Sequence, residues 1–147
     1  MGKIKEELIN NIRTHFSVGA IIINDSGELL MIDRLNPPFG FACPAGHIDE
    51  DEDPLIAVIR EVKEETGLTI ISQKELSISD YRDDAPKEPC SRGVINHIWR
   101  LYEIKVAGDF IVKHDEVKSI GWYSVDKVRL LKLELIWRYW LMKLNII

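Results

Sequence analysis

The sequence predicts an α+β fold, a sandwich in which a mixed β-sheet lies between helices. Three observations carry that expectation. Apolar runs of strand character recur at Phe16–Asn24, Glu28–Asp33, Leu68–Ser72 and Val94–Val106. A segment of helical period, ending at Gly67, interrupts them, and a long helical segment from Ser124 closes the chain. Strands that alternate with helices need crossover connections, which favour a mixed sheet over a purely antiparallel one.

The elements follow in chain order. Lys3 to Arg13 reads as a short helix. Phe16–Asn24 carries the apolar run VGAIII, and the turn Asn24-Asp25-Ser26-Gly27 joins it to Glu28–Asp33 as a hairpin. Leu35 to Ala42, with Asn36-Pro37-Pro38 and Gly40, is a loop. Leu68–Ser72 and Leu76–Arg82 read as strands, and Asp83 to Gly93 as a mobile loop. Val94–Val106 is apolar on both faces, as a central strand would be. Within it His97 and Arg100 have opposite parity and face opposite sides of the sheet. Ile120–Tyr123 is a short strand, and Ser124 caps a closing helix that runs to Leu144. No repeat or linker divides the chain, so residues 1–147 are expected to form one domain, a usual size for a single core.

Composition narrows the function. A net charge of −5 argues against general nucleic-acid binding, which needs a basic surface. It also repels phosphates, so a phosphate site would need bound metal or a few placed cations. Lys132, Glu134, Arg138 and Lys143 interrupt the closing helix too often for a membrane span. Its leucines and tryptophans suit a core-covering helix, with a homodimer interface as the alternative use of so broad an apolar surface. Cys43 and Cys90, with no secretory segment ahead of them, suggest free thiols in a reducing cytoplasm. Two isolated cysteines make no zinc spacing.

The chemistry concentrates in Gly46–Leu68, GHIDEDEDPLIAVIREVKEETGL. On a helical wheel Leu55, Val58, Ile59 and Val62 form one apolar stripe, with Glu61 and Glu65 at its margin and Glu64 beyond them. Pro54 suits the first turn, Asp53 or Glu52 suits the cap, and Gly67 suits the left-handed stop. Glu61, Glu64 and Glu65 stand at i, i+3 and i+4, so their carboxylates are neighbours. Such a cluster is costly unless a cation neutralises it, and carboxylate oxygens suit Mg²⁺ or Mn²⁺. Arg60 lies four residues before Glu64 and can hold that side chain in place.

The full spacing is Gly46, five residues, Glu52, seven residues, Arg60-Glu61-Val62, one residue, Glu64-Glu65, one residue, Gly67-Leu68. A chance match in a chain of this length is on the order of one in ten million. The pattern resembles the signature of the Nudix hydrolases at every specified position. Outside it, IIINDSGELLMIDR (Ile21–Arg34) and EVKSIGWYSVDKV (Glu116–Val128) are similar to the family's strand–turn–strand and its closing strand and helix start. Ala45 departs from the pattern, since many members have a second glycine there. Pro44-Ala45-Gly46 is common among members that cleave ADP-ribose-like diphosphates.

The resemblance implies a Nudix-type α/β/α sandwich and metal-dependent hydrolysis of a diphosphate linkage in a nucleoside diphosphate joined to another moiety. ADP-ribose or a nucleotide sugar is the leading substrate type. A MutT-like nucleoside triphosphate pyrophosphohydrolase and a non-catalytic nucleotide-binding module are the alternatives. By the same resemblance Glu61 and Glu65 are metal ligands, Glu64 is a ligand or a base, and the Gly46 carbonyl reaches the metal. Glu52 and Arg60 support the site. Glu116, beside His114 and Asp115, is a second candidate base. Arg34, at the end of a strand that leads toward this segment, is a candidate phosphate contact. Phe39 is a candidate for stacking on a base.

Overall fold

The computed structural model describes residues 2–76, 85–112, 115 and 117–147. The eight strands described are β1 (Glu6–Ile9), β2 (Ile12–Ile22), β3 (Leu29–Arg34), β4 (Phe41–Ala42), β5 (Ala45–His47), β6 (Thr69–Glu75), β7 (Asn96–Ala107) and β8 (Val117–Tyr123). The helices are α1 (Pro54–Thr66), α2 (Val125–Leu130) and α3 (Leu135–Lys143). One sheet runs β1-β2-β7-β6 with β5 also paired to β2, and a second runs β4-β3-β8. The β2–β7 pair is parallel and the other pairs of both sheets are antiparallel. The architecture is therefore α+β with a mixed sheet, as the sequence predicts.

The sheets separate two apolar layers because side chains alternate along each strand. Val18, Ala20 and Ile22 of β2, Leu30 and Ile32 of β3 and Ile104 of β7 pack with Val58 and Val62 of α1. Ile21, Leu29, Met31 and Leu101 turn the other way, against Trp137, Trp140 and Leu141 of α3. Burying a side chain of this size contributes roughly 1.5–3 kcal/mol, so each layer anchors its helix firmly. Gly19 sits where α3 comes closest: a Cβ there would lie 2.6 Å from the Trp137 ring. The two tryptophans of α3 are thus spent on the chain's own core, and its exposed large apolar residues are Leu135 and Met142.

Four expectations change. Lys3 to Arg13 is not a helix but the β1–β2 hairpin, with Glu6 paired to His15 and Ile9 to Ile12. Asn10 and Asn11 lie at φ 51° and 64°. Asparagine tolerates that region, and two consecutive positive φ values make the tight turn that suits paired strands. Second, Asn24–Gly27 does turn the chain, and Asn24 accepts from the Gly27 amide at 3.0 Å. Beyond the single bridge Ile23–Leu29, however, β2 and β3 diverge into different sheets.

Third, the closing helix is two helices. Ser124 does cap the first, accepting from the Lys127 amide at 3.3 Å. The chain then leaves helical geometry so that the Lys132 carbonyl accepts from Phe41 and the Glu134 amide donates to the Phe41 carbonyl. These tertiary bonds replace helical ones at the break. Fourth, the strand expected at Leu68–Ser72 runs as Thr69–Glu75. The strand expected at Leu76–Arg82 and the first part of the Asp83–Gly93 loop fall at residues 77–84, outside the described residues.

Candidate active site

The sequence builds α1 as a rigid platform. Asp53 accepts from the Leu55 amide at 2.8 Å, Pro54 occupies the first turn, and Gly67 at φ 75° ends the helix. The buried positions of α1 are Ala57, Val58, Val62 and Thr66, while Ile59 is 39% exposed. On the wheel the arc from Thr66 to Ala57 passes through Val62, Val58, Glu65 and Glu61. The helix is thus rotated so that Glu61 and Glu65 face β5, at the expense of Ile59.

β5 accepts those two carboxylates because of what it lacks and what it donates. A Cβ on Gly46 would overlap the Glu61 carboxyl group, so only glycine lets the helix approach. The Ala45 amide donates to Glu65 Oε1 at 2.8 Å. Arg60 ties the platform together. Its Nε and Nη2 donate to the two oxygens of Glu52, each at 2.9 Å, in a bidentate pair. Nη2 also donates to the His47 carbonyl at 2.9 Å, and Nη1 donates to Glu61 at 2.7 Å and Glu64 at 3.4 Å. Glu52 in turn accepts from the Asp49 amide at 3.0 Å. Loop, strand and helix are thereby locked in one network.

One guanidinium serves several acids here. Burial pushes the Glu61 carboxyl up to about 7, with Arg60 opposing the rise and Glu64 and Asp49 adding to it. Glu52, bonded to Arg60, is held below its ordinary range. Negative charge at Glu61 is therefore under-compensated at neutral pH by the side chains around it. Glu64 lies on the outer edge, its side chain 50% exposed. An all-oxygen donor set with a charge deficit fits a hard divalent cation such as Mg²⁺ or Mn²⁺.

A cleft opens on the opposite side of β5 from α1. Gly46, His47, Arg34, Pro37, Pro38, His97 and Glu134 are among the residues that line it. Arg34, half-buried, holds its Nε 3.6 Å from Glu134 Oε2. Burial pushes Glu134 up to about 7, Arg34 opposing. Phe39 is 60% exposed and outside the cleft lining, where Pro37 and Pro38 stand instead. Burial is also the main reason that His47 is lowered to about 4 and His97 is lowered. His97 lines this cleft and Arg100 lines a different hollow beside Glu75, as their opposite parity requires. His114 and Glu116 lie outside the described residues, while the following Val117 pairs with Arg34.

The structure thus brings Gly46, Glu52, Arg60, Glu61, Glu64 and Glu65 into one cluster and sets Arg34 at the adjoining cleft. Sequence reasoning passed over His15, His47 and Glu134. Helical and strand period could have placed each on a face, but only strand pairing shows which faces meet.

A sequence model described as the NUDIX domain matches residues 13–144, and the chain belongs to that family. Among curated relatives it is 30% identical over 109 residues to an ADP-ribose pyrophosphatase of Methanocaldococcus jannaschii, covering 73% of this chain and 60% of that protein. It is 46% identical over 52 residues to Nudix hydrolase 26, chloroplastic, of Arabidopsis thaliana, covering 35% of this chain and 24% of that one. The chain therefore spans less than two thirds of the length of these relatives. Among solved structures, the MutT protein from Methanosarcina mazei Go1 shares the fold with a TM-score of 0.70 at 23% identity, covering 90% of this chain and 93% of that one.

Proposed function

We propose that this chain is a Mg²⁺- or Mn²⁺-dependent hydrolase of the diphosphate linkage in a nucleoside diphosphate joined to another moiety, of the ADP-ribose or nucleotide-sugar type. The observation that carries the reading is the seating of Glu61 and Glu65 against Gly46 and Ala45, two residues of β5 that also line the cleft holding Arg34. Similarity to an ADP-ribose pyrophosphatase supports the substrate class.

Glu61 and Glu65, with the carbonyl of Gly46, hold the cation. When bound, it supplies electrostatic stabilisation to the negative charge of the diphosphate. Arg60, braced by Glu52, fixes the Glu61 carboxylate and the Ala45 amide fixes that of Glu65, which keeps both from rearranging as charge builds. Arg34 meets a phosphate oxygen, exchanging its long contact to Glu134 for the substrate. Glu64, on the accessible edge, or Glu116 takes a proton from the attacking water. Water adds at one phosphorus, the bridging P–O bond breaks, and each product keeps one phosphate.

A substrate panel of ADP-ribose, nucleotide sugars and nucleoside triphosphates, with Mg²⁺ and then Mn²⁺, tests this by product analysis. ADP-ribose should give AMP and ribose 5-phosphate, with kcat sharply lower in Glu64→Gln. Pyrophosphate release from triphosphates with ADP-ribose left intact would contradict the substrate class.

A further inference from the structure

On the cleft side of the sheet, four donors converge that the hydrolase reading does not use. His15, His47, His97 and Cys90 each offer an atom within 4.8 Å of the others. Strand register creates the group. His15 on β2 pairs with His97 on β7, and Ser17, two residues further along the same face of β2, pairs with His47 on β5. Cys90 is delivered by a turn in which its amide donates to the Val94 carbonyl at 3.0 Å and its carbonyl accepts from Gly93 at 2.9 Å.

Two of the imidazoles already have their far nitrogen engaged. His15 Nε2 lies 2.9 Å from the Glu6 carboxylate, a pair that favours the proton on Nε2. That leaves the Nδ1 lone pair facing Cys90 Sγ at 3.7 Å. His97 Nδ1 lies 3.1 Å from the Ile95 carbonyl, which only accepts, so Nδ1 carries the proton. His97 Nε2 is then a buried lone pair with no hydrogen-bond partner among the described residues. A carboxylate or backbone carbonyl on the far nitrogen is the arrangement that orients metal-binding histidines. A buried lone pair of this kind, beside three other donor atoms, is a position that a bound ion would satisfy.

We propose that His15 Nδ1, His97 Nε2, a ring nitrogen of His47 and Cys90 Sγ form a second metal site, a closed tetrahedral N₃S set for Zn²⁺ or a similar borderline-soft ion. Dimensions agree. With Zn–N about 2.0–2.1 Å and Zn–S about 2.3 Å, tetrahedral ligands stand roughly 3.3–3.6 Å apart and imidazole centroids roughly 5 Å apart. The His15–His47, His15–His97 and His47–His97 centroids are 4.9, 5.8 and 5.7 Å apart. A small contraction completes the site. The Cys90 thiol gives up its proton on binding. The thiolate and the Glu6 carboxylate together balance the ion's charge. With all four positions filled by protein the site is structural, and it staples the Cys90 turn to the sheet as one wall of the cleft.

The metal-stripped chain titrated with Co²⁺ under excess Mg²⁺ tests this. The expected result is one equivalent of tetrahedral Co²⁺ with a thiolate-to-cobalt charge-transfer band, displaced by Zn²⁺. Cys90→Ser should lose the band. Glu6→Gln should keep it while weakening Co²⁺ binding about 10–100-fold, and Cys90→Ser should weaken it by more. The doubly substituted Glu61→Gln, Glu65→Gln chain should retain the band. Absence of the band in the parent, its persistence in Cys90→Ser, or its loss in the double glutamine chain would overturn the proposal. Matching far-ultraviolet circular dichroism separates lost binding from lost folding, and His97→Gln gives a second variant with the thiol intact.

Discussion

Gly46 and His47 are neighbours in β5, yet they serve opposite faces of the sheet. The Gly46 face meets α1 and gathers carboxylates: Glu61 and Glu64 on Arg60, and Glu65 on the Ala45 amide. The His47 face gathers three imidazoles and a thiol around a cleft. The first face suits hard ions and the second suits borderline-soft ones. The difference teaches how a one-residue step in a strand separates two chemistries by the thickness of a sheet. It also shows two ways of making a site, one from a local helix and one from distant strands in register.

The sharpest way to break the first face without touching the second is Gly46→Ala. The added Cβ displaces the Glu61 carboxylate and pushes α1 off β5. Activity should fall by about 100-fold or more, since misplacement by about 1 Å is enough for that. The thiolate–cobalt band should stay. Steady-state kinetics and the cobalt spectrum, measured on the same preparation, check both halves.

Arg60→Lys is the next test. Lysine keeps the charge but cannot span both oxygens of Glu52 while reaching Glu61 and the His47 carbonyl. Affinity for Mn²⁺ should drop roughly 10–100-fold, as read by a titration of the enzyme with the ion. Gly19→Ala addresses the other layer. Its Cβ would press on Trp137 and Leu101, and overpacking of this kind costs about 1–3 kcal/mol. Denaturant unfolding should show that loss, while metal affinity at the carboxylate face stays within about twofold of the parent.

The smallest effect contrasts two glutamates on opposite faces, Glu61 and Glu134, each pushed by burial to about 7. For Glu134 the folded state binds more protons than the unfolded state between its ordinary 4.5 and about 7. Its contribution to stability therefore declines as pH rises through that window and is flat above it. The stability of Glu134→Gln relative to the parent should climb from pH 4.5 to 7, measured by chemical denaturation at a series of pH values. A flat difference would mean that Arg34 fully compensates the Glu134 charge.

The carboxylate face was legible because it is local. Spacing along one helix fixes which side chains are neighbours, and caps at Asp53 and Gly67 fix where the helix begins and ends. Even so, the wheel alone set the stripe on Leu55, Val58, Ile59 and Val62. Gly46 decided that the helix turns toward Glu61 and Glu65 and leaves Ile59 out. The helix expected at Lys3–Arg13 was overruled by Asn10-Asn11, whose tolerance of positive φ closes a hairpin. The closing helix broke where Phe41 takes its backbone bonds. The second face was illegible for a plainer reason. Its donors stand at 15, 47, 90 and 97, and no spacing rule connects them until β2 is paired with both β5 and β7.

The claim that the two faces hold different metals is tested most directly by electron paramagnetic resonance of bound Mn²⁺ in three chains. Mn²⁺ should bind the parent and Cys90→Ser alike, and its binding should be lost when Glu61 and Glu65 are both glutamine. Unchanged Mn²⁺ binding in the double glutamine chain, or loss of it in Cys90→Ser, would contradict the account.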